Sequence, residues 1–267
     1  MNLAGYDTAA TPLAPGNKAK TTEALADPQG TSLGEWQERL TASASAGLAP
    51  RSVLVVLQGI DTAGKGGVVK HVVGQLQPEA VKITAFKRPT PTELAHHYLW
   101  RIRKALPALG QIGVFDRSHY EDVIVPRVHQ TLPLETVEAR YDEINAFEKG
   151  LVDGGTTVVK IFLHVSYATQ RERLLERLDD PTKTWKFSEG DVDERGWWTD
   201  YQGAFAAMLE KTDTDVAPWF VVPSDRKWYR NWAVGEILRE TFAELDPVYP
   251  PASVDVDAMR KRLRPPY

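Results

Sequence analysis

The stretch Ser52–Val73, SVLVVLQGIDTAGKGGVVKHVV, constrains the fold more than any other part of the chain, because an apolar run meets a glycine-rich turn and then a helical pattern. Val53 to Leu57 are consecutive aliphatic residues, mostly β-branched, as in a strand buried on both faces of a parallel sheet. From Gly64 onward Val68, Val69, Val72, Val73 and Leu76 fall on one face of a helix. Gly59 and Gly64 bracket Ile60, Asp61, Thr62 and Ala63 ahead of Lys65, which satisfies the G-x-x-x-x-G-K spacing of a phosphate-binding loop. Glycines let backbone N–H groups approach a phosphate chain, the helix start adds partial positive charge, and Lys65 reaches terminal phosphate oxygens. Gly59, Thr62, Ala63, Gly64, Gly66 and Gly67 are the candidate cradle. The position after the lysine is Gly66, where the usual motif carries a Ser or Thr on Mg²⁺. A metal here needs another ligand, and Asp61 inside the loop can supply one oxygen. The alternative for Asp61 is an Asx-turn cap of the helix.

With 42% hydrophobic and 25% charged residues, the 267-residue chain is long and apolar enough for one large globular core. The absence of cysteine excludes disulfides, thiolate zinc sites and cysteine nucleophiles. A net charge of -4 attracts no polyanion globally, so such a partner requires a local basic channel. No run approaches a membrane span and Met1 to Lys20 lacks a signal layout, which points to a cytoplasmic protein.

Residues 1–30 read as an arm or loop, 31–246 as the folded domain and 247–267 as a Pro-rich, basic tail. Ser32 precedes a helix on which Leu33, Trp36 and Leu40 share a face and which Gly47 can end. Val81 to Phe86 reads as the second strand. Pro89 and Pro91 then stop regular structure, and Thr92 is expected to cap a helix from Glu93 to Leu106. Lys87 and Arg88 therefore sit at a strand's carboxyl end, where open α/β sheets place ligands. On the next helix Arg101 and Lys104 are one turn apart with His97 on the same side, either a polyanion-binding row or a solvated face.

Gln111 to Phe115 is the third strand, followed at once by Asp116, Arg117, Ser118, His119, Tyr120 and Glu121. A carboxylate at the end of a strand beside a phosphate loop suits a second metal ligand, and Arg117 is a planar fork for phosphate oxygens. For His119 a structural hydrogen-bonding role is favoured. Leu134 to Leu151 is a long helix, Thr156 to Val165 the fourth strand, and Tyr167 to Leu178 a helix carrying Arg171, Arg173 and Arg177. The mixed-charge segment at about 178–200 has too few apolar residues for core and reads as a mobile lid. Trp197 to Lys211, Trp219 to Val222 and Lys227 to Leu245 are expected as helix, fifth strand and closing helix. Alternation of helices with short buried strands predicts an α/β chain with a parallel sheet covered on both faces.

GIDTAGKGG, FDRSHYEDV, FEKGL, FLHVS, ERLDDPTKTWKFSEGDVDER and APWFVVPSDRKWYRN, in this order and spacing, resemble the family-2 polyphosphate kinases over residues 30–245. The resemblance implies a thymidylate-kinase-like P-loop kinase fold, a three-layer α/β/α sandwich with a five-stranded parallel sheet and a helical lid. It implies phosphate transfer between inorganic polyphosphate and a nucleotide with Mg²⁺, or Mn²⁺ in its place. By position, the family's functional residues fall on Asp61, Lys65, Asp116, Arg117 and Arg177, with Asp61 and Asp116 as metal ligands. RSHYEDVIVPRVH is similar to the branch that accepts both AMP and ADP. Lys87, Arg88 and Glu121 are then candidate nucleotide or phosphate contacts, and Lys70, Arg101 and Lys104 candidate polyphosphate-channel residues. Adenine or guanine nucleotides are the expected partners, with a homo-oligomer, dimer or tetramer, but no nucleic acid or membrane. The rivals are an ATP-dependent nucleoside-monophosphate kinase on the same fold and a catalytically silent P-loop sensor.

Overall fold

The computed structural model describes residues 3–26 and 30–264. The chain runs α1 (Lys18–Ala26), α2 (Leu33–Ser45), β1 (Ser52–Gln58), α3 (Lys65–His71), β2 (Val81–Ala85), α4 (Pro91–Leu94), α5 (Leu99–Ala105), β3 (Ile112–Asp116), α6 (Glu121–His129) and α7 (Leu134–Asp153). It continues through β4 (Thr156–His164), α8 (Tyr167–Asp179), α9 (Glu189–Gly196), α10 (Trp198–Thr212), β5 (Trp219–Pro223), α11 (Lys227–Leu245) and α12 (Val256–Arg262).

The strands form one parallel sheet in the order β2-β3-β1-β4-β5. β1 is central and buried along its whole length, which is why it reads as an unbroken aliphatic run. Because every strand points the same way, the loops after β1, β3 and β4 open on one edge. Helices α1, α2 and α3 pack with α11 on one face, and α6, α7 and α10 pack together on the other. Gly113 in β3 is set by this packing: a Cβ there would lie 2.8 Å from Pro107 Cδ and 3.1 Å from Leu54 Cδ1.

Several local expectations change. The helix expected over Glu93–Leu106 is broken into α4 and α5. Its cap is Thr90, not Thr92: the Thr90 hydroxyl accepts from Glu93 N and the Glu93 carboxylate accepts from Thr90 N, a reciprocal capping box with Pro91 at the first helical position. Pro91 starts a helix here because its missing N–H is an orphan at that position anyway. The arm expected at 1–30 carries α1, with Thr21 and Leu25 buried against α11. Residues 1, 2 and 27–29 of that stretch, and 265–267 of the tail, lie outside the described residues. Sparse apolar spacing hid α1, since only a narrow face of it is covered. The segment expected as a lid at 178–200 begins in the last turn of α8 and ends in the first of α10, and between them holds a 3-10 turn, Thr184–Lys186, and the short α9.

Candidate active site

β1 leaves the sheet at Gln58 into a turn with unusual backbone angles: φ is 147° at Gly59, 66° at Thr62 and 116° at Gly64. A Cβ at Gly59 would come 2.7 Å from Leu163 O, so only glycine lets the loop pass β4. Ala63 N–H closes the turn on Ile60 O at 3.0 Å. The carbonyls of Thr62 and Ala63 point backward, each accepting from Arg173 Nη1 at 2.8 and 3.1 Å. Carbonyl and amide are antiparallel across a trans peptide, so fixing Ala63 O behind the loop aims Gly64 N–H forward into the cradle. Lys65 opens α3, is buried, and donates to Gly59 O at 2.6 Å. Burial pushes its ammonium below the usual lysine value, and Asp61, Asp116 and Glu121 pull only partway back.

β3 places the second element. Asp116 lies in register with Leu57 of β1 and Ala85 of β2, and the ladder runs on through Arg117 N to Leu57 O at 3.1 Å. Arg117 has φ 61° and donates from Nη2 to Asp61 Oδ1 at 2.5 Å, joining the two strand ends. Burial alone raises the Asp61 pKa, but Lys65 and Arg117 outweigh it and hold the carboxyl below the usual carboxylate range. Glu121, the first residue of α6, goes the other way: burial raises it against the pull of Arg117 and Lys65. With the Gln58 amide turned so that its nitrogen donates to Glu121 Oε1 at 3.1 Å, its oxygen accepts from Ser118 Oγ at 3.1 Å. Three carboxylates and the P-loop lysine thus share one field at the sheet edge.

Two cavities open on this edge. The smaller, about 300 Å³, is lined by Phe86, Lys87, Arg88, Arg101, Glu121 and Tyr201 among others. The larger, about 710 Å³, is a basic groove with Lys65, Lys70, Asp116, Arg177, Lys186 and Arg230 in its wall. Asp61 and Arg117 line both. The charged pair sits at their junction, where Phe86 and Lys87 also enter both walls.

The cleft wall formed by the segment expected as a lid is held by side chains. Arg177 Nη1 donates to Asp191 Oδ2 at 3.0 Å and to Lys186 O at 3.1 Å. Burial raises the Asp191 pKa, and the nearby Asp61 charge adds to it. Across the smaller cavity, Glu194 on α9 accepts from Tyr201 Oη at 2.7 Å and lies 3.0 Å from His129 Nε2. His119 has the structural role expected of it: its Nε2 is 3.1 Å from Glu148 Oε1, within a buried network where Tyr120 and Lys160 also bond Glu148.

The expected basic row divides. Arg101 is buried, donates to Lys87 O at 2.8 Å and pairs with Asp122 at 3.3 Å, so it lines the smaller cavity while bracing its floor. Lys104 lines neither cavity; its ammonium lies 3.8 Å from the centroid of the Trp100 ring. His97 lies 3.5 Å from Glu143, outside the short α5. The break in the helix takes only His97 out of the row; Arg101 and Lys104 remain on α5 and part because one turns to Lys87 O and Asp122 and the other to the Trp100 ring. Three site residues carry no role from sequence spacing: Asp191, Arg173 and Arg230. Arg173 is one turn before Arg177 on α8, and Arg230 lies within the KWYRN stretch, but nothing in either pattern says that they meet the P-loop.

A buried P-loop lysine, a strand-end Asp-Arg pair and an α8 arginine around a two-lobed cleft define a P-loop phosphotransferase. The family model for polyphosphate kinase 2 matches residues 16–247. The chain is 47% identical over 198 residues to the AMP/ADP-polyphosphate phosphotransferase of Meiothermus ruber, covering 74% of each sequence. It is 40% identical over 224 residues to the ADP-polyphosphate phosphotransferase of Rhodopseudomonas palustris, covering 79% of this chain and 76% of the relative. The crystal structure of polyphosphate kinase 2 from Arthrobacter aurescens TC1 superposes with a TM-score of 0.95 at 47% identity, over 98% of this chain and 92% of that one. The chain belongs to the polyphosphate kinase 2 family and is an enzyme of the phosphotransferase class.

Proposed function

We propose that this enzyme transfers phosphoryl groups reversibly between inorganic polyphosphate and adenine nucleotides, accepting both AMP and ADP. The observation that carries this reading is the pair of cavities meeting at Asp61 and Arg117, one a basic groove along the P-loop and the other enclosed by mixed polar and aromatic side chains. The basic groove takes the polyphosphate end, and the smaller cavity takes the nucleotide with its terminal phosphate at the junction.

A terminal oxygen of the nucleotide attacks the end phosphorus of polyphosphate. The P–O bond to the next phosphate breaks, leaving a chain one unit shorter. Lys65, Arg117 and Arg177 neutralise the equatorial oxygens, and forward-facing amides at Gly64 to Gly66 hold the phosphate next to the reacting one. No histidine need be phosphorylated. The donor set fits a hard divalent cation: Asp61 and Asp116 are carboxylates beside a phosphate cradle, and space around Gly66 is open, with nothing within 4 Å of a Cβ placed there. Mg²⁺, or Mn²⁺ in its place, would be held by Asp61 and Asp116 and would offset charge as two anionic substrates approach. Guanine nucleotides are a further acceptor class, and a dimer or tetramer in the cytoplasm is the expected working form. No helix among the described residues is long and apolar enough to cross a membrane.

The test is ADP and ATP formation from AMP with Mg²⁺ and long-chain polyphosphate as sole donor, for the wild type and Asp116→Asn. Both products from the wild type and strong impairment of the variant support the reading. Turnover from ADP alone moves the enzyme to a diphosphate-only specificity, and turnover with ATP but not polyphosphate establishes the nucleoside-monophosphate kinase instead.

A further inference from the structure

Six lysine and arginine side chains are buried among the described residues: Lys65, Arg101, Lys160, Arg173, Arg230 and Arg239. Burying a cation costs several kcal/mol unless opposite charge or well-placed acceptors replace its water. Arg101, Lys160 and Arg239 each have a carboxylate partner, in Asp122, Glu148 and Glu236. Arg173 has none but spends its fork on four backbone carbonyls, those of Thr62, Ala63, Ser224 and Asp225. Lys65 and Arg230 remain, and both line the basic groove. Lys65 is the P-loop lysine, whose counter-charge is a phosphate. Arg230 has no role in the motif.

Arg230 is 3% exposed. Its Nε and Nη2 donate to Asn231 Oδ1 at 3.1 and 2.8 Å, and Nη1 reaches Ala63 O at 3.4 Å, a long bond. Among the described residues no carboxylate pairs with it. Its helical position worsens the balance, because it sits in the first turns of α11, where the helix's own partial charge is positive. Burial and the neighbouring Arg173 lower its pKa to about 10, a value at which it is still a cation at neutral pH. The guanidinium lies against the P-loop itself: a Cβ at Gly64 or at Gly67 would overlap it. These two glycines leave room for an arginine as much as for a phosphate.

We propose that the missing counter-charge of Arg230 is a phosphate of the polyphosphate chain, bound behind the reacting phosphoryl group where the start of α11 meets the P-loop helix. Arg230 and Lys70, which share the groove wall, then form a donor subsite that grips an internal unit of the chain and is not used by the nucleotide. This rests on the reading that the larger cavity holds polyphosphate.

The experiment compares the wild type, Arg230→Met and Arg230→Lys by thermal unfolding with and without tripolyphosphate, and by steady-state kinetics. An unpaired buried cation destabilises the empty protein, so Arg230→Met is expected to unfold at the wild-type temperature or above it. The same variant loses the tripolyphosphate-induced rise in unfolding temperature that the wild type shows. Its KM for polyphosphate rises about tenfold or more while the KM for AMP changes less than about twofold. Arg230→Lys keeps the charge without the fork and is expected between the two, with raised KM for polyphosphate and normal KM for AMP. If Arg230→Met unfolds several degrees lower yet keeps the tripolyphosphate response, Arg230 is a brace for the loop and the inference fails. An unchanged KM for polyphosphate in Arg230→Lys overturns it as well. A wild type that neither responds to tripolyphosphate nor uses polyphosphate overturns the proposed function together with the inference, whereas the first two results leave that function standing.

Discussion

The two walls of the cleft are built differently. On the sheet side the P-loop and the end of β3 are held by buried backbone and side-chain bonds: Arg173 ties Thr62 and Ala63 to the Ser224–Asp225 turn, and Arg117 ties β3 to Asp61. On the lid side, residues 178–200 are mostly exposed, and Arg177 is fixed by one carboxylate and one carbonyl. The first wall fixes where charge develops before any substrate arrives. The second has few buried contacts to break, which is what the lid role proposed for it requires. Two arginines one turn apart on α8 are therefore held differently: Arg173 braces the P-loop, and Arg177, on the proposed reading, is the one left to meet the substrate.

The largest effects are expected in the rigid wall. Lys65→Ala and Asp116→Asn should each cut kcat by about 10³-fold or more with polyphosphate as donor, measured by coupled ATP formation, since both act on charge at the reacting centre. Retained turnover in either variant would show that the wall is scaffold only.

The pair Arg173→Ala and Arg177→Ala separates building from contact. Arg173→Ala leaves buried carbonyls without donors, which cost about 1–3 kcal/mol each, so a fall in unfolding temperature of about 5 °C or more should accompany its loss of activity. Arg177→Ala should lower kcat by about 10²-fold with a smaller fall in unfolding temperature than Arg173→Ala, since it leaves one half-buried carboxylate, which can take up a proton, and one exposed carbonyl without a donor. Equal thermal effects in the two would erase the distinction.

Glu121 gives a smaller, pH-dependent effect. Its folded pKa lies above the unfolded value, so the folded form holds its proton more tightly and stability is lost as pH rises from near 4.5 through the folded pKa. Glu121→Gln should therefore raise the unfolding temperature at neutral pH by about 2 °C, and this gain should vanish below about pH 4.5, where the carboxyl is neutral in both states. Calorimetry across that range checks the sign. Asp61 behaves oppositely, because its depressed pKa gives stability above the unfolded value that is lost only as pH falls through the folded one.

The smallest effect is expected at Gly66. Nothing lies within 4 Å of a Cβ there, so Gly66→Ser should fold normally and change kcat by less than about threefold if Asp61 and Asp116 have taken over the metal-ligand role of the usual hydroxyl. Gly64→Ala and Gly67→Ala should be far more damaging, because each would displace Arg230. Comparing kcat among the three variants shows whether this loop is glycine-rich for the phosphate or for the arginine beneath it.

Much of this was legible beforehand. The fully buried β1, the 3.6-residue rhythm of α2 and the Ser32 cap are local properties, written in side-chain chemistry a few residues apart. Asp61, Lys65, Asp116 and Arg117 were legible for the same reason, since a strand end or a glycine turn marks them. Lys104 and Arg101 show the limit: they looked equivalent on one helix face, yet one is spent on the Trp100 ring and the other is buried against Asp122. Their separation is set by what packs around α5, not by spacing along it: Arg101 faces Lys87 O and Asp122, while Lys104 lies over Trp100.

The sequence by itself determined the layer architecture, the phosphate loop and the charged strand ends, because short-range pattern dictates strands, helices and turns. Only the tertiary structure decided that Arg173 reaches back to Thr62, that Arg230 lies beneath Gly64 and that two cavities share Asp61 and Arg117. Those contacts join residues more than 50 positions apart. Their energy depends on burial and on which charges are left without partners, and no linear spacing records either.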